Sequence, residues 1–254
     1  MAKMREFNDP FDGRGYCVGH ITREFVRKHF KDGVSLQGKI FEGYTDKVCL
    51  SDTELDMWAE KLTKELYDKV QSLNFVDSMY VLCFSACKDN DPSQKLMWAH
   101  YANGYRGVRI GVRFDNPEFP LYLDSVKYCF ERPVFDLSKV HSFYNDEEMM
   151  RFWLSNLTTK STEWAQEQEF RIISGRSYLE LGSDDEGNEA LFWRYNPQDI
   201  VSIDFGCQVS SSDIAQLIEL RNAQYPHMTI RQVVLNDSDY GISYRSIDGI
   251  ENGN

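Results

Sequence analysis

The sequence contains no apolar run of about 18 residues, the length a helix needs to cross a bilayer. Its opening stretch MAKMREFNDPFD also lacks the apolar core of a signal peptide, so a cytoplasmic protein without a membrane contact is expected. Basic side chains are outnumbered: 28 Lys and Arg stand against 40 Asp and Glu, a formal net charge of −12. A sequence-independent grip on phosphate backbones needs Lys and Arg to displace counterions, so broad nucleic-acid binding is not expected. Arg106, Arg109 and Arg113 come nearest to a basic patch. They do not share one parity on a strand, and are expected to decorate a sheet surface.

Paired metal-ligand motifs are also missing. Cys83 and Cys87 are the one close pair among six cysteines, with no CxxC or HxxxH beside them to complete a zinc set. The cysteines sit mostly in apolar segments such as VLCFSAC and VKYCF, which predicts free thiols acting as small buried hydrophobes. Internal repeats and low-complexity stretches are absent.

What is present is the composition of a folded chain, 42% apolar and 14% aromatic. A length of 254 residues fits one domain as easily as two; one globular domain over 1–254, with a flexible tail at 246–254, is the expectation. The segment FNDPFDGRGYC is rich in turn formers and reads as a loop. ITREFVRKHF reads as a short helix with Ile21, Phe25 and either Phe30 or Val26 on its apolar face, before a glycine-containing stretch from 31 to 43. Ser51 and Glu54 have capping-box spacing, and Leu55, Trp58, Leu62, Leu66, Tyr67 and Val70 follow at helical intervals.

MYVLCFSAC reads as a strand buried on both faces. QKLMWAHYANGY predicts about two helical turns closed by Asn103 and Gly104, followed by the strand RGVRIGVRFD. Gly111 is expected to serve a close approach in a sheet. Further strands are expected at SVKYCF, EFRIIS, DIVSIDFG, TIRQVVL and GISYRSI. Helices are expected at about Asp146–Leu157, Ser161–Gln168 and Ser211–Gln224, the last capped by Ser211 or Ser212. GSDDEGNEA reads as a polar loop. Strands and helices alternate without a strict βαβ rhythm, which predicts a mixed α/β (α+β) fold with a mixed or split sheet flanked by helices.

FNDPFD at Phe7–Asp12, CFS at Cys83–Ser85, LMWAHYANGYRGVRIGV at Leu96–Val112, VKY followed by Pro133, KSTEWAQEQEFRII at Lys160–Ile173 and SIDFGCQVSSSDI at Ser202–Ile214 share an order and spacing. Together they resemble the bacterial domain of unknown function 2971. The resemblance implies an additional N-terminal strand and helix ahead of FNDPFD, opening with a Lys-Tyr-Arg-like signal. This sequence starts almost at the motif, so by the resemblance any site residue supplied by that segment is expected to be absent from it.

Three clusters could carry chemistry. Trp98, His100 and Tyr101 lie on the short helix after a strand, where His100 could act as acid or base and the two aromatics could stack on a planar ligand. Alternatively the aromatics are core and His100 a hydrogen-bonding residue. Trp164, Glu167, Glu169 and Arg171 lie where a helix end passes into a strand; the carboxylates either divide acid and base roles or pair with Arg171 structurally. Asn8, Asp9 and Asp12 either bond a ligand ribose or a hard cation, or cap their own turn.

Glu167-Gln168-Glu169 is similar to the Glu-x-Glu of ADP-ribosyltransferases, whose final glutamate grips the nicotinamide ribose and stabilises an oxocarbenium-like transition state. Ser85 resembles their serine-bearing strand end, while their first-strand arginine or histidine has no counterpart here. The likeness implies a nucleotide-type ligand such as NAD, bound by Asn8, Asp9, Ser85, Trp98, Trp164, Glu167 and Arg171, with Glu169, His100 and Tyr101 catalytic in glycosidic cleavage or ADP-ribosyl transfer. The setting would be defence or toxin biology, phage defence included. One rival is a metal-dependent nuclease using Asp9, Asp12, Glu167 and Glu169, with Lys160 or Arg171 holding phosphate. Another is a ligand-sensing or protein-binding module without turnover.

Overall fold

The computed structural model describes residues 1–31, 50–71, 76, 78–114, 122–140, 146–184 and 186–247. The fold is mixed α/β. The chain divides into two compact units, each woven from three stretches of sequence: 1–82, 124–162 and 173–176 in the first, 83–123, 163–172 and 177–254 in the second.

The first unit is built around two helices, α1 (Arg23–Lys31) and α2 (Asp52–Gln71). The Ser51–Glu54 box forms as its spacing predicts: the Ser51 amide donates to Glu54 Oε2 at 2.7 Å and the Glu54 amide to Ser51 Oγ at 3.3 Å. Leu55, Leu62, Leu66 and Val70 turn one face of α2 into the core, whereas Tyr67 stays exposed. Phe25 and Val26 bury the matching face of α1, and the Ile21 amide donates to Thr63 Oγ1 at 2.9 Å, tying the start of α1 to α2. Phe152, Trp153 and Leu157 from the helix Asp146–Leu157 complete this core.

Two short parallel pairs accompany it: β1 (Tyr16–Val18) with β6 (Val134–Asp136), and β5 (Lys127–Cys129) with β7 (Thr159–Ser161). The expected glycine-containing stretch at 32–43, and Cys49, lie outside the described residues.

The second unit centres on a four-stranded sheet in the order β13-β12-β11-β3: Ile242–Ser246, Thr229–Leu235, Ile200–Phe205 and Val108–Val112. β11 and β12 are parallel, and parallel neighbours need a crossover. The helix Ser211–Gln224 supplies it, laying Ile214, Leu217 and Ile218 against Ile200, Ile203, Phe205 and Ile230 of the sheet. Its N-cap is Ser210, one residue earlier than expected, whose side chain accepts from the Asp213 amide at 3.1 Å. Gly111 faces Ser202 across the ladder, where an added Cβ would lie 2.1 Å from Ser202 Oγ, so the close approach expected at this glycine is real.

Three expectations change. β2 (Met79–Ser85) leaves Cys83 and Ser85 exposed and buries only Val81 fully, so it is not a strand buried on both faces. Among the described cysteines only Cys17 is buried, and Cys83 and Cys129 are exposed. The segment GSDDEGNEA is not all loop: Gly182 and Ser183 belong to β9 (Glu180–Ser183) and Glu189 and Ala190 to β10 (Glu189–Phe192), which pair as an antiparallel hairpin. β2 also belongs to a three-stranded sheet in the order β2-β8-β4, with β8 at Glu169–Gly175 and β4 at Tyr122–Ser125. Of the expected tail at 246–254, Ser246 ends β13 and Ile247 is buried; the rest lies outside the described residues.

Candidate functional site

The helix Gln94–Tyr101, here α3, carries the first cluster. It stops because Asn103, Gly104 and Tyr105 adopt φ of 47, 60 and 66° in succession, a left-handed reversal that sends the chain into β3. Trp98 is 2% exposed, stacks on Tyr105 with centroids 6.1 Å apart and donates through Nε1 to the Tyr244 hydroxyl at 3.0 Å. It is therefore a core anchor, and its ring offers no face to a ligand. His100 is exposed, edge-on to Tyr101 at 6.5 Å. Tyr101 keeps 54% of its surface exposed while its hydroxyl donates to Glu167 Oε1. Burial first, and then the Glu167 and Glu169 carboxylates, push that hydroxyl well above the usual phenol range.

The second cluster meets the first. A 3-10 turn, Thr162–Glu167, carries the half-buried Trp164 and passes into β8 through Gln168, whose φ of 45° is a left-handed conformation that a non-glycine residue adopts only when its surroundings hold it. Three bonds do so. Ser85 Oγ donates to the Glu167 carbonyl at 2.6 Å, the Ala86 amide to the Gln168 carbonyl at 3.0 Å, and Gln168 Nε2 to Asp91 Oδ2 at 2.5 Å. Ser85 thus acts as a latch that places Glu167 under Tyr101. Glu167 and Glu169 are both buried, and Arg171, fully buried, holds Glu169 through Nε at 2.6 Å and Nη2 at 3.1 Å. This two-pronged pair realises the structural alternative for Glu169 and Arg171.

Sequence reading missed a polar cluster beside α3. The register places Asp204 on β11 opposite Arg109 on β3 and opposite Arg231 on β12. Asp204, fully buried, accepts from Arg109 Nη2 at 2.6 Å and from Arg231 Nε at 2.7 Å. Both guanidiniums lie against the Tyr244 ring, 4.7 and 4.6 Å from its centroid, and both also bond Asp89. Burial raises the Asp89 carboxyl, but the bonds from Arg231 and Arg109 outweigh it and hold the group below its usual range. Arg109 is therefore half-buried in a network, not the surface decoration expected from parity. Parity along β3 alone could not reveal partners on two other strands.

Asn8, Asp9 and Asp12 belong to the first unit. Asn8 is exposed. Asp9 is buried, its Oδ1 accepting from the Phe11 amide at 2.9 Å and its carbonyl from the Asp12 amide at 3.2 Å, which realises the turn-capping alternative. Asp12 Oδ2 lies 3.9 Å from Lys160 Nζ. Both aspartates line a cleft of about 210 Å³. Among the described residues, no three His, Cys, Asp or Glu side chains are grouped to hold one ion, and no helix is long and apolar enough to cross a membrane.

A family model described as protein of unknown function (DUF2971) matches residues 97–172. That span includes Trp98, His100, Tyr101, Glu167, Glu169 and Arg171, and leaves Asn8, Asp9 and Ser85 outside. No curated protein and no solved structure matches the chain.

Proposed function

We propose that this chain, which matches the DUF2971 family model across residues 97–172, binds a nucleotide-type ligand such as NAD on the face of its second unit that carries Tyr101 and Glu167. The observation that carries this reading is an aromatic ring more than half exposed whose hydroxyl is fixed by a buried carboxylate. A ring already held in one orientation loses little freedom when a planar group stacks on it. His100, exposed beside it, offers a second polar contact. The strained Gln168, held by Ser85, Ala86 and Asp91, supports a functional role for this turn, since such strain gathers at ligand clamps.

In this reading Tyr101 stacks on the nicotinamide or adenine ring, and Glu167 meets the ribose. Glycosidic cleavage or ADP-ribosyl transfer would use Glu167 and Glu169 as the negative charge facing an oxocarbenium-like transition state. The Arg171 pair favours a positioning role for Glu169, and it equally favours a sensor that binds without turnover. Thermal unfolding with NAD, ADP-ribose, Mg²⁺ or Mn²⁺, followed by chromatography for released nicotinamide, separates the readings. A midpoint raised by NAD and ADP-ribose in the wild type but not in Glu167→Gln supports the site; nicotinamide release makes it an enzyme, and its absence makes it a sensor. A shift with metal alone would replace this reading with the nuclease.

A further inference from the structure

The loop 86–93 joins β2 to α3 within the second unit. Its own bonds stiffen it. The Asp91 amide donates to the Lys88 carbonyl at 2.9 Å, the Gln94 amide to the Asp91 carbonyl at 3.0 Å and the Ser93 amide to Asp91 Oδ1 at 2.8 Å. Gln94, buried at the start of α3, donates from Nε2 back to the Cys87 carbonyl at 2.7 Å. A segment closed on itself in this way moves as one piece.

Two aspartates of this loop are fastened to different parts of the unit. Asp89 bridges the two arginines of the sheet: Oδ1 accepts from Arg109 Nη2 at 2.7 Å and Oδ2 from Arg231 Nη1 at 2.5 Å. Asp91 Oδ2 accepts from Gln168 Nε2 at 2.5 Å. Gln168 has the left-handed backbone, and its neighbour Glu167 accepts from the Tyr101 hydroxyl. The sheet does not depend on Asp89, because the fully buried Asp204 keeps hold of both arginines. Asp89 itself is exposed, so its pairs are open to screening by salt. Gln168 is the opposite case: a left-handed residue other than glycine keeps its backbone only while its surroundings impose it. Loosening the loop that carries one of its ties lets Gln168 relax, and that rotation turns Glu167 relative to Tyr101.

We propose that the loop 86–93 is an electrostatic strap on the Tyr101 site. With Asp89 seated across Arg109 and Arg231, Asp91 holds Gln168 and Glu167 meets Tyr101; with Asp89 released, Gln168 relaxes and the bond between Tyr101 and Glu167 loosens. Ionic conditions at the arginine cluster thereby set the state of Tyr101. As regulation of a ligand site the strap rests on the nucleotide reading, but as a device it is read at Tyr101 with no ligand present, so the two can fail separately.

The test is carbon NMR of the full chain with its tyrosines labelled at Cζ, whose shift reports whether the hydroxyl donates to a carboxylate. Tyr101→Phe identifies the Tyr101 resonance by its loss, and Glu167→Gln marks its position without the carboxylate. Asp89→Asn is expected to move the resonance at least halfway from the wild-type to the Glu167→Gln position. Glu219→Gln, which removes a charge from an exposed position on the crossover helix, is expected to leave it in place. Removing a charge also acts through space. Asp89→Asn is therefore repeated in Gln168→Gly, where glycine adopts the left-handed turn without being held, and there its shift is expected to vanish. If Asp89→Asn does not fold, salt replaces it: at 1 M, with a Debye length of about 3 Å, the exposed Asp89 pairs are screened, and the resonance is expected to move in the wild type but not in Gln168→Gly. The proposal is overturned if the resonance keeps its wild-type position in folded Asp89→Asn or, where that variant does not fold, in salt. A shift as large in Gln168→Gly as in the wild-type background overturns it equally.

Discussion

Asp204 holds two arginines at once, from strands on either side of its own, and the arrangement depends on side chains 95 and 27 residues away in sequence. Removing a partner from a buried ion pair leaves an uncompensated charge, so Asp204→Asn is expected to lower stability by about 3 kcal/mol, read from the urea midpoint at unchanged slope. At Tyr101 the prediction concerns pH. Below the ordinary phenol value of 10.0 the hydroxyl keeps its proton in both states, and its bond to Glu167 contributes fully. Above that value the unfolded chain gives up the proton while the native hydroxyl, pushed up by burial and by Glu167, retains it, so stability falls as pH rises. The stability difference between wild type and Tyr101→Phe should therefore shrink from about pH 9 to about pH 11.5. A difference constant across that range would mean that the hydroxyl is not held as described. At this scale the sequence disclosed which residue types could meet, Tyr101 with the Glu-x-Glu among them, and offered the pairing with Arg171 as one of two alternatives, but could not choose between them, because on a strand the ligand-facing and the self-paired arrangements have the same parity.

Elements with a local cause were legible. The capping box of α2 and the glycine-assisted end of α3 are decided within a few residues, and both form where their spacing predicts. The crossover helix Ser211–Gln224 is capped one residue before the expected serines, since Ser210 keeps extended backbone, φ −68 and ψ 148°, while Ser211 is already helical. Ser210→Ala should cost about 1 kcal/mol by chemical denaturation, whereas Ser212→Ala should cost less than half of that. Equal losses would contradict the assignment. β2 and the β9–β10 hairpin were misread for one reason: burial of a short strand is set by what packs on it, which composition does not record. MYVLCFS has the residues of a two-sided strand, yet only Val81 is fully buried and Cys83 and Ser85 on the same parity are exposed, while the hairpin strands ELGS and EALF are too short and charged to stand out.

For the whole molecule, composition and the alternation of patterns sufficed for the mixed α/β class, and the family resemblance is matched by the model over 97–172. The two compact units could not be read from the sequence, because each is assembled from three separate stretches and no linker marks their limits. The excess of acidic over basic side chains still disfavours any partner gripped through phosphate charge alone. The account therefore rests on Tyr101 as a fixed, exposed ring that receives a ligand. The measurement that tests it most directly is titration calorimetry of ADP-ribose into the wild type and into Tyr101→Ala. The account predicts saturable binding to the wild type, weakened in the variant by at least about tenfold, the scale of one lost aromatic contact. Equal affinity in the two proteins, or no binding to the wild type, would contradict it.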